Sequence, residues 1–202
     1  MVSGGRGGEG LPRRPRGGAA GGQGATAGDE RAPEGDGLRG RGPSAPPRSF
    51  MAERVEARHA GTLQFPQGGI DPGEDPAAAA LRELAEETGV PAALATVAHE
   101  VGEWIPYDFP ADVRGELSRR RRGRWAGARG QVQRWFVLRF AGTDADVDLA
   151  PPGHTPEFRS FRWVDLADAP GVVVEWKREA YGRLVELAGP AVRRIAEEGR
   201  AA

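Results

Sequence analysis

The sequence predicts an α/β domain in which a mixed sheet packs against a few helices. Three observations predict this class: short apolar segments typical of strands, one helix with clear start and stop signals between them, and a second helical pattern near the C-terminal end. The chain has 202 residues. Because a domain usually takes roughly 100–200 residues, we expect one folded domain and a tail.

The tail is predicted from composition. Residues 1 to 50 hold 15 of the 31 Gly and 6 of the 17 Pro and hardly any large apolar side chains. Such a segment cannot bury enough surface to offset its ordering entropy. We therefore expect a disordered Gly/Pro/Arg-rich tail over residues 1–47 and the folded domain over residues 48–202. Two explanations of the arginines stay open: a high-GC coding bias, or an organelle transit peptide that begins with Arg6, Arg13, Arg14 and Arg16.

Charge and cysteine content exclude several classes of function. The 28 basic and 29 acidic residues give a formal net charge of -1, so the chain as a whole has no attraction for nucleic acid or an anionic membrane. The absence of Cys excludes disulfide scaffolds, thiolate catalysis and sulfur-ligated zinc. No segment approaches the roughly 18 consecutive apolar residues of a membrane span. Carboxylates are therefore the candidate metal ligands.

The elements follow from local patterns. Asp75 as N-cap, Pro76 at the first helical position and Gly89 as C-cap predict a helix over Pro76–Thr88. A turn-rich loop, PQGGIDPGED, precedes it. A C-terminal helix begins near Val174, and we expect Pro190 to break or kink it. Strands are predicted at residues 49–55, 63–65, 97–104, 131–140 and 161–164.

Three glutamates crowd one patch of the predicted helix. Glu83 is followed by Glu86 at i+3 and Glu87 at i+4, so the carboxylates repel one another. One interpretation is a solvated acidic face. The other is a divalent cation site, because Mg²⁺ binds a few carboxylates, keeps several waters and bridges to substrate phosphates.

The spacing around these glutamates resembles the signature motif of the Nudix hydrolase family. The matching positions are Gly68, Glu74, Arg82, Glu83, Leu84, Glu86, Glu87, Gly89 and Val90. The resemblance implies an α/β/α sandwich around a mixed sheet. It also implies that Glu83, Glu86 and Glu87 bind Mg²⁺ or Mn²⁺ together with the Gly68 carbonyl. Arg82 would then orient the glutamates, and Glu74 would brace the loop or help to position a metal.

Further segments resemble the branch of this family that contains bacterial RNA pyrophosphohydrolase and the asymmetric diadenosine polyphosphate hydrolases. They are LQFPQGGIDPGE, QVQRWFVLRF, TPEFRSFRWV and VVEWKREAY. The resemblance implies that Glu157 is a metal ligand or the general base, that Trp176 stacks on a nucleobase and that Lys177 meets phosphate. It also places Arg54, Gln131 and Arg134 at the substrate cleft. Trp176 could equally belong to the core, and the arginine run at residues 119–122 is either a solvated loop or a phosphate-attracting segment.

One departure from this branch concerns its first strand. Relatives carry a strand-forming segment directly before the position of SFMAERV, where this chain has GLRGRGPSAPPR. We therefore expect the usual first strand to be missing or divergent, which would leave main-chain groups of the sheet exposed.

The predicted function is Mg²⁺- or Mn²⁺-dependent hydrolysis of phosphoanhydride bonds, either in diadenosine polyphosphates or at RNA 5′ ends. Two alternatives stay open: a catalytically inactive nucleotide- or RNA-binding module, and a truncated, poorly folding product. The expected partner is the substrate alone, with no membrane and no stable protein partner. The expected location is cytoplasmic, or organellar if the N-terminal segment is a transit peptide.

Overall fold

A computed structural model describes residues 2–5, 47–119 and 126–201 of the chain. The expectations for residues 6–46, including the transit peptide, lie outside these described residues. The same holds for three of the four arginines of the run at residues 119–122, since residues 120–125 are not among the described residues.

The strands form two sheets. The larger is mixed and has the order β3-β1-β6-β4, with β5 also paired to β6. In it β1 runs parallel to β3, while β4, β5 and β1 are antiparallel to β6. The smaller sheet pairs β2 with β7. The strands are β1 Val2–Gly5, β2 Arg48–Arg54, β3 Gln67–Gly69, β4 Ala95–Glu100, β5 Ile105–Asp108, β6 Gly130–Phe140 and β7 Phe158–Asp165.

Helices cover both faces of the larger sheet. They are α1 Pro76–Thr88, α2 Ala111–Arg119, α3 Ala169–Val172 and α4 Arg178–Ala201. Side chains of β6 alternate between two apolar clusters. Trp135 packs with Tyr181 and Leu184 of α4, whereas Phe136 packs with Ala80 of α1 on the opposite face. The predicted α/β/α sandwich is therefore confirmed. Within the described residues, no helix is long and apolar enough to cross a membrane.

We expected the usual first strand to be missing or divergent, and the structure shows that a strand is present, so only the first of these two alternatives is corrected. Val2–Gly5 forms β1 and lies in the sheet between β3 and β6, inside the segment that we expected to be disordered. The sequence Val-Ser-Gly-Gly has no alternating apolar pattern, so nothing marked it as a strand. Main-chain hydrogen bonding to two flanking strands needs no such pattern, because every residue carries a donor and an acceptor.

Further elements also differ from the prediction. Leu63–Phe65 contributes only an isolated bridge between Ala52 and Gln64, whereas Gln67–Gly69, predicted as loop, is a strand. The strand predicted at 97–104 ends earlier, because β4 is Ala95–Glu100; β5, Ile105–Asp108, was not predicted. Both strands pair with β6. A short helix that we did not predict, α2, ends at Arg119, the first residue of the arginine run.

Pro190 does not break the C-terminal helix, because α4 runs from Arg178 to Ala201 with Pro190 inside it. The prediction of a separate second piece was wrong. Burial of Leu184, Ala188 and Val192 against the core keeps both halves in place, which outweighs the hydrogen bond that a proline cannot donate.

Candidate active site

Helix α1 is fixed at both ends by its caps. The Asp75 carboxylate accepts hydrogen bonds from the Ala77 and Ala78 N–H groups, both at 3.0 Å. Gly89 ends the helix in the left-handed region with φ 65°, and a Cβ there would lie 2.8 Å from the Cβ of Asp148. Only glycine combines this backbone conformation with so close an approach. The predicted helix bounds are confirmed, and the caps set which turn of α1 faces the loop after β3.

Arg82 ties the loop to the helix. Its guanidinium donates to both Glu74 oxygens, at 2.8 and 2.9 Å, and to the Gly69 carbonyl at 2.7 Å. The same group donates to Glu83 at 2.9 Å and to Glu86 at 3.3 Å. These charge-assisted bonds, to Glu74 above all, raise the pKa of Arg82 above its ordinary value. Arg82 and Glu74 are thus placed to orient the acidic groups and to brace the loop.

Glu87 is the most buried of the three helix glutamates, with 3 % of its surface exposed. Its Oε2 accepts a hydrogen bond of 2.9 Å from the Gln67 N–H. Its Oε1 is buried and, among the described residues, has no hydrogen-bond partner. Burial raises the pKa of Glu87 well above its ordinary value, and the nearby Glu157 carboxylate raises it further. A buried and partly unsatisfied carboxylate is not a solvated helix face.

Glu83 lies directly against the loop backbone. Its Oε1 accepts a hydrogen bond of 2.9 Å from the Gly69 N–H. A Cβ on Gly68 would lie 1.7 Å from the Glu83 carboxyl carbon, so no other residue fits at position 68 without displacing this carboxylate. Burial also raises the pKa of Glu83. Gly68 therefore has a steric reason to be glycine.

Glu157 enters the site from the loop before β7. Its carboxylate lies 3.0 Å from a guanidinium nitrogen of Arg54, at the end of β2, and its side chain is 46 % exposed. The backbone carbonyl of Glu157 accepts a hydrogen bond from the Val55 N–H at 2.9 Å. The pairing of β2 with β7 thus brings Glu157 close enough to Glu87 to affect its pKa.

The acidic groups suit a hard divalent cation. The unpaired Glu87 oxygen, the close approach of Gly68 to Glu83 and the mutual repulsion of the carboxylates each favour a bound positive charge. Within the described part of the chain, no three acidic or imidazole groups already converge into a complete metal cage.

A cleft of about 470 Å³ opens beside the acidic groups. Lys177, with 4 % of its surface exposed, lies in its wall. The Lys177 ammonium donates to the side-chain oxygens of Gln64 and Gln67 at 3.0 and 3.1 Å and lies 5.3 Å from the centre of the Tyr107 ring. Burial, together with the charge of Arg54, lowers the pKa of Lys177 to about 7.

The other predicted substrate residues divide into two groups. Trp176 lines the cleft and also packs partly against the core, and Gln131 lines the cleft and accepts a hydrogen bond from the Tyr107 hydroxyl. The structure does not bring Arg134 to the cleft. Arg134 lies 2.6 Å from Glu100 and donates to the Gly102 carbonyl at 3.1 Å, because alternation along β6 points it away from Gln131 and Gln133.

Several cleft residues were not assigned a role from the sequence. Gln133 donates to the Gln67 side-chain oxygen at 3.0 Å, which links Gln67 to both Lys177 and Gln133. The glutamines lie within segments that resemble the family, but no spacing rule marks an amide as functional. The remaining cleft residues without an earlier assignment include Glu56, Arg58, His59, Gln64 and Tyr107.

The fold and the site together define a class of protein. It is an α/β enzyme whose glutamate-bearing helix suits divalent cations and borders a cleft with Arg and Lys side chains, an arrangement suited to phosphate chemistry. Residues 45–184 match the NUDIX domain family, and the chain belongs to that family. It is therefore a Nudix hydrolase, a family that in general depends on divalent metal ions.

Curated relatives match over most of the domain. The chain is 45 % identical over 138 residues to the RNA pyrophosphohydrolase of Erythrobacter litoralis, which covers 68 % of this chain and 79 % of that protein. It is 48 % identical over 133 residues to the RNA pyrophosphohydrolase of Roseobacter denitrificans, covering 65 % and 77 %. Among solved structures, the dihydroneopterin triphosphate pyrophosphohydrolase of E. coli aligns with a TM-score of 0.48 at 22 % identity, over 68 % of this chain and 85 % of that one.

Proposed function

We propose that this Nudix hydrolase removes pyrophosphate from the 5′ end of triphosphorylated RNA. The observation that carries the proposal is the cleft itself, in which the carboxylates of Glu83, on α1, and Glu157 border a wall formed by Lys177, Arg54 and Trp176. Such a cleft offers metal ligands to the phosphates and an aromatic ring to a base in one continuous site. The identity of 45 % and 48 % to two RNA pyrophosphohydrolases supports RNA as the substrate.

We assign the metal site to Glu83, Glu86, Glu87 and Glu157, with the Gly68 carbonyl as a further ligand. Divalent cations bound there would neutralise phosphate charge and make a water molecule more acidic. Mg²⁺ or Mn²⁺ fits these oxygen ligands. The side chains of the protein have two further roles, which are to orient the phosphates and to move one proton.

The positioning begins with Arg82, which holds Glu83 and Glu86 through hydrogen bonds while it grips Glu74. Glu157 is exposed at the cleft and paired with Arg54, so it is placed either to hold a metal or to accept the proton of the attacking water. Lys177 places a donor against the phosphates, and its two glutamine partners keep it in position.

The experiment compares two substrates and three proteins. Purified wild-type protein, Glu87→Gln and the matched control Glu186→Gln are incubated with 5′-triphosphorylated RNA or diadenosine tetraphosphate, in Mg²⁺ or Mn²⁺. Glu186 lies on α4 with its side chain 69 % exposed and, among the described residues, is paired with Arg183 outside the cleft, so its loss of charge leaves the cleft unchanged. We expect wild type and Glu186→Gln to release pyrophosphate from RNA and Glu87→Gln to lose at least about 100-fold in rate, since it loses a metal ligand.

Two results would overturn parts of this proposal. Faster cleavage of diadenosine tetraphosphate than of RNA would assign the enzyme to the other substrate class. Wild-type protein that melts cooperatively but cleaves neither would contradict both substrate assignments. A cooperative melt also separates these results from the case of a poorly folding product.

We also propose a cytoplasmic location, supported by the match to bacterial enzymes and by the absence of Cys. The absence of a stable protein partner stays a prediction.

A further inference from the structure

His59 stands in the cleft on a short turn between β2 and β3. It ends the turn Ala57–His59, and its backbone carbonyl accepts hydrogen bonds from the N–H and the hydroxyl of Thr62, at 3.0 and 2.7 Å. Its own N–H donates to the Glu56 carbonyl at 2.9 Å. The turn is thus held from both sides, so the imidazole has a defined place in the cleft wall.

The imidazole lies beside the ring of Trp176. The two ring centres are 6.0 Å apart, and the ring planes are inclined by 59°. Both residues line the cleft that borders the acidic groups. A planar base can lie parallel to only one of two planes inclined by this angle. A base stacked on Trp176 would therefore present its edge, rather than its face, to His59.

The ring nitrogens of His59 are available for hydrogen bonds with the edge of a base. Among the described residues, neither of its nitrogens has a hydrogen-bond partner in the protein. Burial lowers the pKa of His59 to about 4; the Glu56 carboxylate opposes this change, whereas the charges of Lys177, Arg54 and Arg58 add to it. At neutral pH the ring is uncharged and offers one N–H donor and one acceptor nitrogen.

The charge of the neighbouring groups separates two kinds of ligand. Arg54 and Arg58 are cations and suit phosphate oxygens, whereas a neutral imidazole next to an aromatic ring suits an uncharged heterocycle. The donors and acceptors along the edge of a nucleobase differ from base to base. A single ring that donates and accepts can therefore favour some bases over others.

We propose that His59 contacts the edge of the nucleobase that stacks on Trp176 and thereby sets the base preference of the enzyme. This inference rests on the proposed function, since it takes a nucleotide as the substrate. It assigns His59 a role in specificity, not in the chemical step. One hydrogen bond of this kind contributes about 1 kcal/mol, which corresponds to roughly fivefold discrimination between bases.

The first test is a binding measurement that needs no turnover. The chain has three histidines, so the imidazole C–H resonances can be assigned by NMR with the variant His59→Phe. Metal-free wild-type protein is titrated with AMP, GMP, CMP and UMP, and separately with inorganic tripolyphosphate. We expect the His59 resonances to shift with at least one nucleotide and not with tripolyphosphate, while His99 and His154 stay unchanged. Unmoved His59 resonances at 10 mM of every nucleotide, about the weakest useful affinity, would overturn the inference.

The second test is base discrimination during turnover. The ratios of kcat/KM are compared for four RNAs that differ only in the 5′ base, with wild type, His59→Phe and the control His154→Phe. We expect a wild-type ratio of roughly fivefold between the best and the poorest base, and less than about twofold in His59→Phe. His154→Phe is expected to keep the wild-type ratio, because His154 is exposed and lies outside the cleft.

The outcomes distinguish the inference from the proposed function. If wild type cleaves RNA but His59→Phe keeps the same ratio, or if wild type shows no base preference, the inference fails and the proposed function stands. If wild type cleaves no RNA, the proposed function fails, and the NMR titration still decides whether His59 contacts a base.

Discussion

At the scale of single residues, the proposed metal site depends on a buried glutamate, Glu87, that lies near a second carboxylate. Glu87 is 3 % exposed, has one oxygen without a partner among the described residues and lies near Glu157. Burying an unsatisfied charge costs several kcal/mol, so this site is unfavourable until a cation neutralises it. We therefore propose that these carboxylates bind a metal, and we expect the metal-free protein to be less stable because of them.

We expect Glu87→Gln to be more stable than wild type without metal, by about 1–3 kcal/mol, because it removes the buried charge but keeps an acceptor for the Gln67 N–H. We also expect it to lose most of the increase in Tm that Mn²⁺ produces in wild type. Differential scanning calorimetry in chelator and in Mn²⁺ measures both effects, with Glu186→Gln as control. An unchanged Mn²⁺-induced increase in Tm in Glu87→Gln would remove Glu87 from the metal site.

The lowered pKa of Lys177 predicts that the free energy of unfolding depends on pH. Its pKa is lowered to about 7 in the folded protein, chiefly by burial, whereas an unfolded Lys has a pKa near the ordinary value of 10.5. Between these values the unfolded chain binds more protons than the folded chain, so the free energy of unfolding rises with pH. From pH 7 to pH 9 this rise is roughly 2 kcal/mol.

The variant Lys177→Met removes this titration, since Met carries no ionisable group. Urea unfolding at pH 7 and pH 9 measures the free energy of unfolding of both proteins. We expect the difference between wild type and Lys177→Met to change by roughly 2 kcal/mol in favour of wild type as the pH rises. Parallel pH profiles would mean that Lys177 keeps an ordinary pKa.

The sequence alone was sufficient to predict the contacts among the residues of the motif, but not the contacts of the other residues that line the cleft. Glu74, Arg82, Glu83 and Glu87 stand at a spacing that a helix and its preceding loop bring together, so local geometry predicts their contacts. Lys177 and its acceptor Gln67 are 110 residues apart. Only the packing of the C-terminal segment against the sheet brings them together, and no local pattern carries that information.

At the scale of elements, helix ends were the best predicted features because capping is a local interaction. Asp75, Pro76 and Gly89 define α1 in the sequence and in the structure alike. Helix α2 was not predicted, since its only buried side chain is Leu117 and Gly115 lies in its interior. An isolated buried residue gives no helical periodicity.

The cap gives a direct stability prediction. Asp75→Ala removes the acceptor of the Ala77 and Ala78 N–H groups, and we expect a loss of about 1 kcal/mol. Asp75→Asn keeps a capping oxygen and serves as the matched control. Chemical denaturation of both variants checks this. A loss in Asp75→Asn as large as in Asp75→Ala would show that the negative charge, and not the cap, is responsible.

Pro190 gives a prediction of the opposite sign. It is exposed in the interior of α4, where it can donate no hydrogen bond and crowds the preceding turn. We expect Pro190→Ala to stabilise the protein by about 1–3 kcal/mol, since the helix already continues through this position. A higher midpoint of urea unfolding would agree. A lower one would mean that the helix depends on the distortion that proline introduces.

At the scale of the whole molecule, β1 completes the mixed sheet between β3 and β6. It contributes four residues, yet it lies between the strand that carries Gly68 and the strand that carries Gln131 and Gln133. Without it, both neighbours would present unpaired main-chain groups, which promote aggregation. β1 therefore joins β3, which lies beside the acidic groups, to β6, which lines the cleft.

Deletion of residues 2–5 tests this role. We expect a clearly lower Tm and increased light scattering, because the sheet is interrupted at its centre. Deletion of residues 17–20, four small residues in the Gly-rich segment, is the control of equal length. Equal melting behaviour of the two deletions would show that β1 contributes nothing to the sheet.

We propose that divalent cations bound by the glutamates of α1 are required for the removal of pyrophosphate from the 5′ end of RNA. The most direct measurement follows the 5′ end of a triphosphorylated RNA with chelator-treated wild-type protein, before and after Mg²⁺ or Mn²⁺ is restored. We expect the RNA to keep its triphosphate in chelator and to become 5′-monophosphorylated when either metal is added. Conversion that proceeds equally in chelator, or a triphosphate that persists with both metals in a cooperatively folded protein, would contradict it.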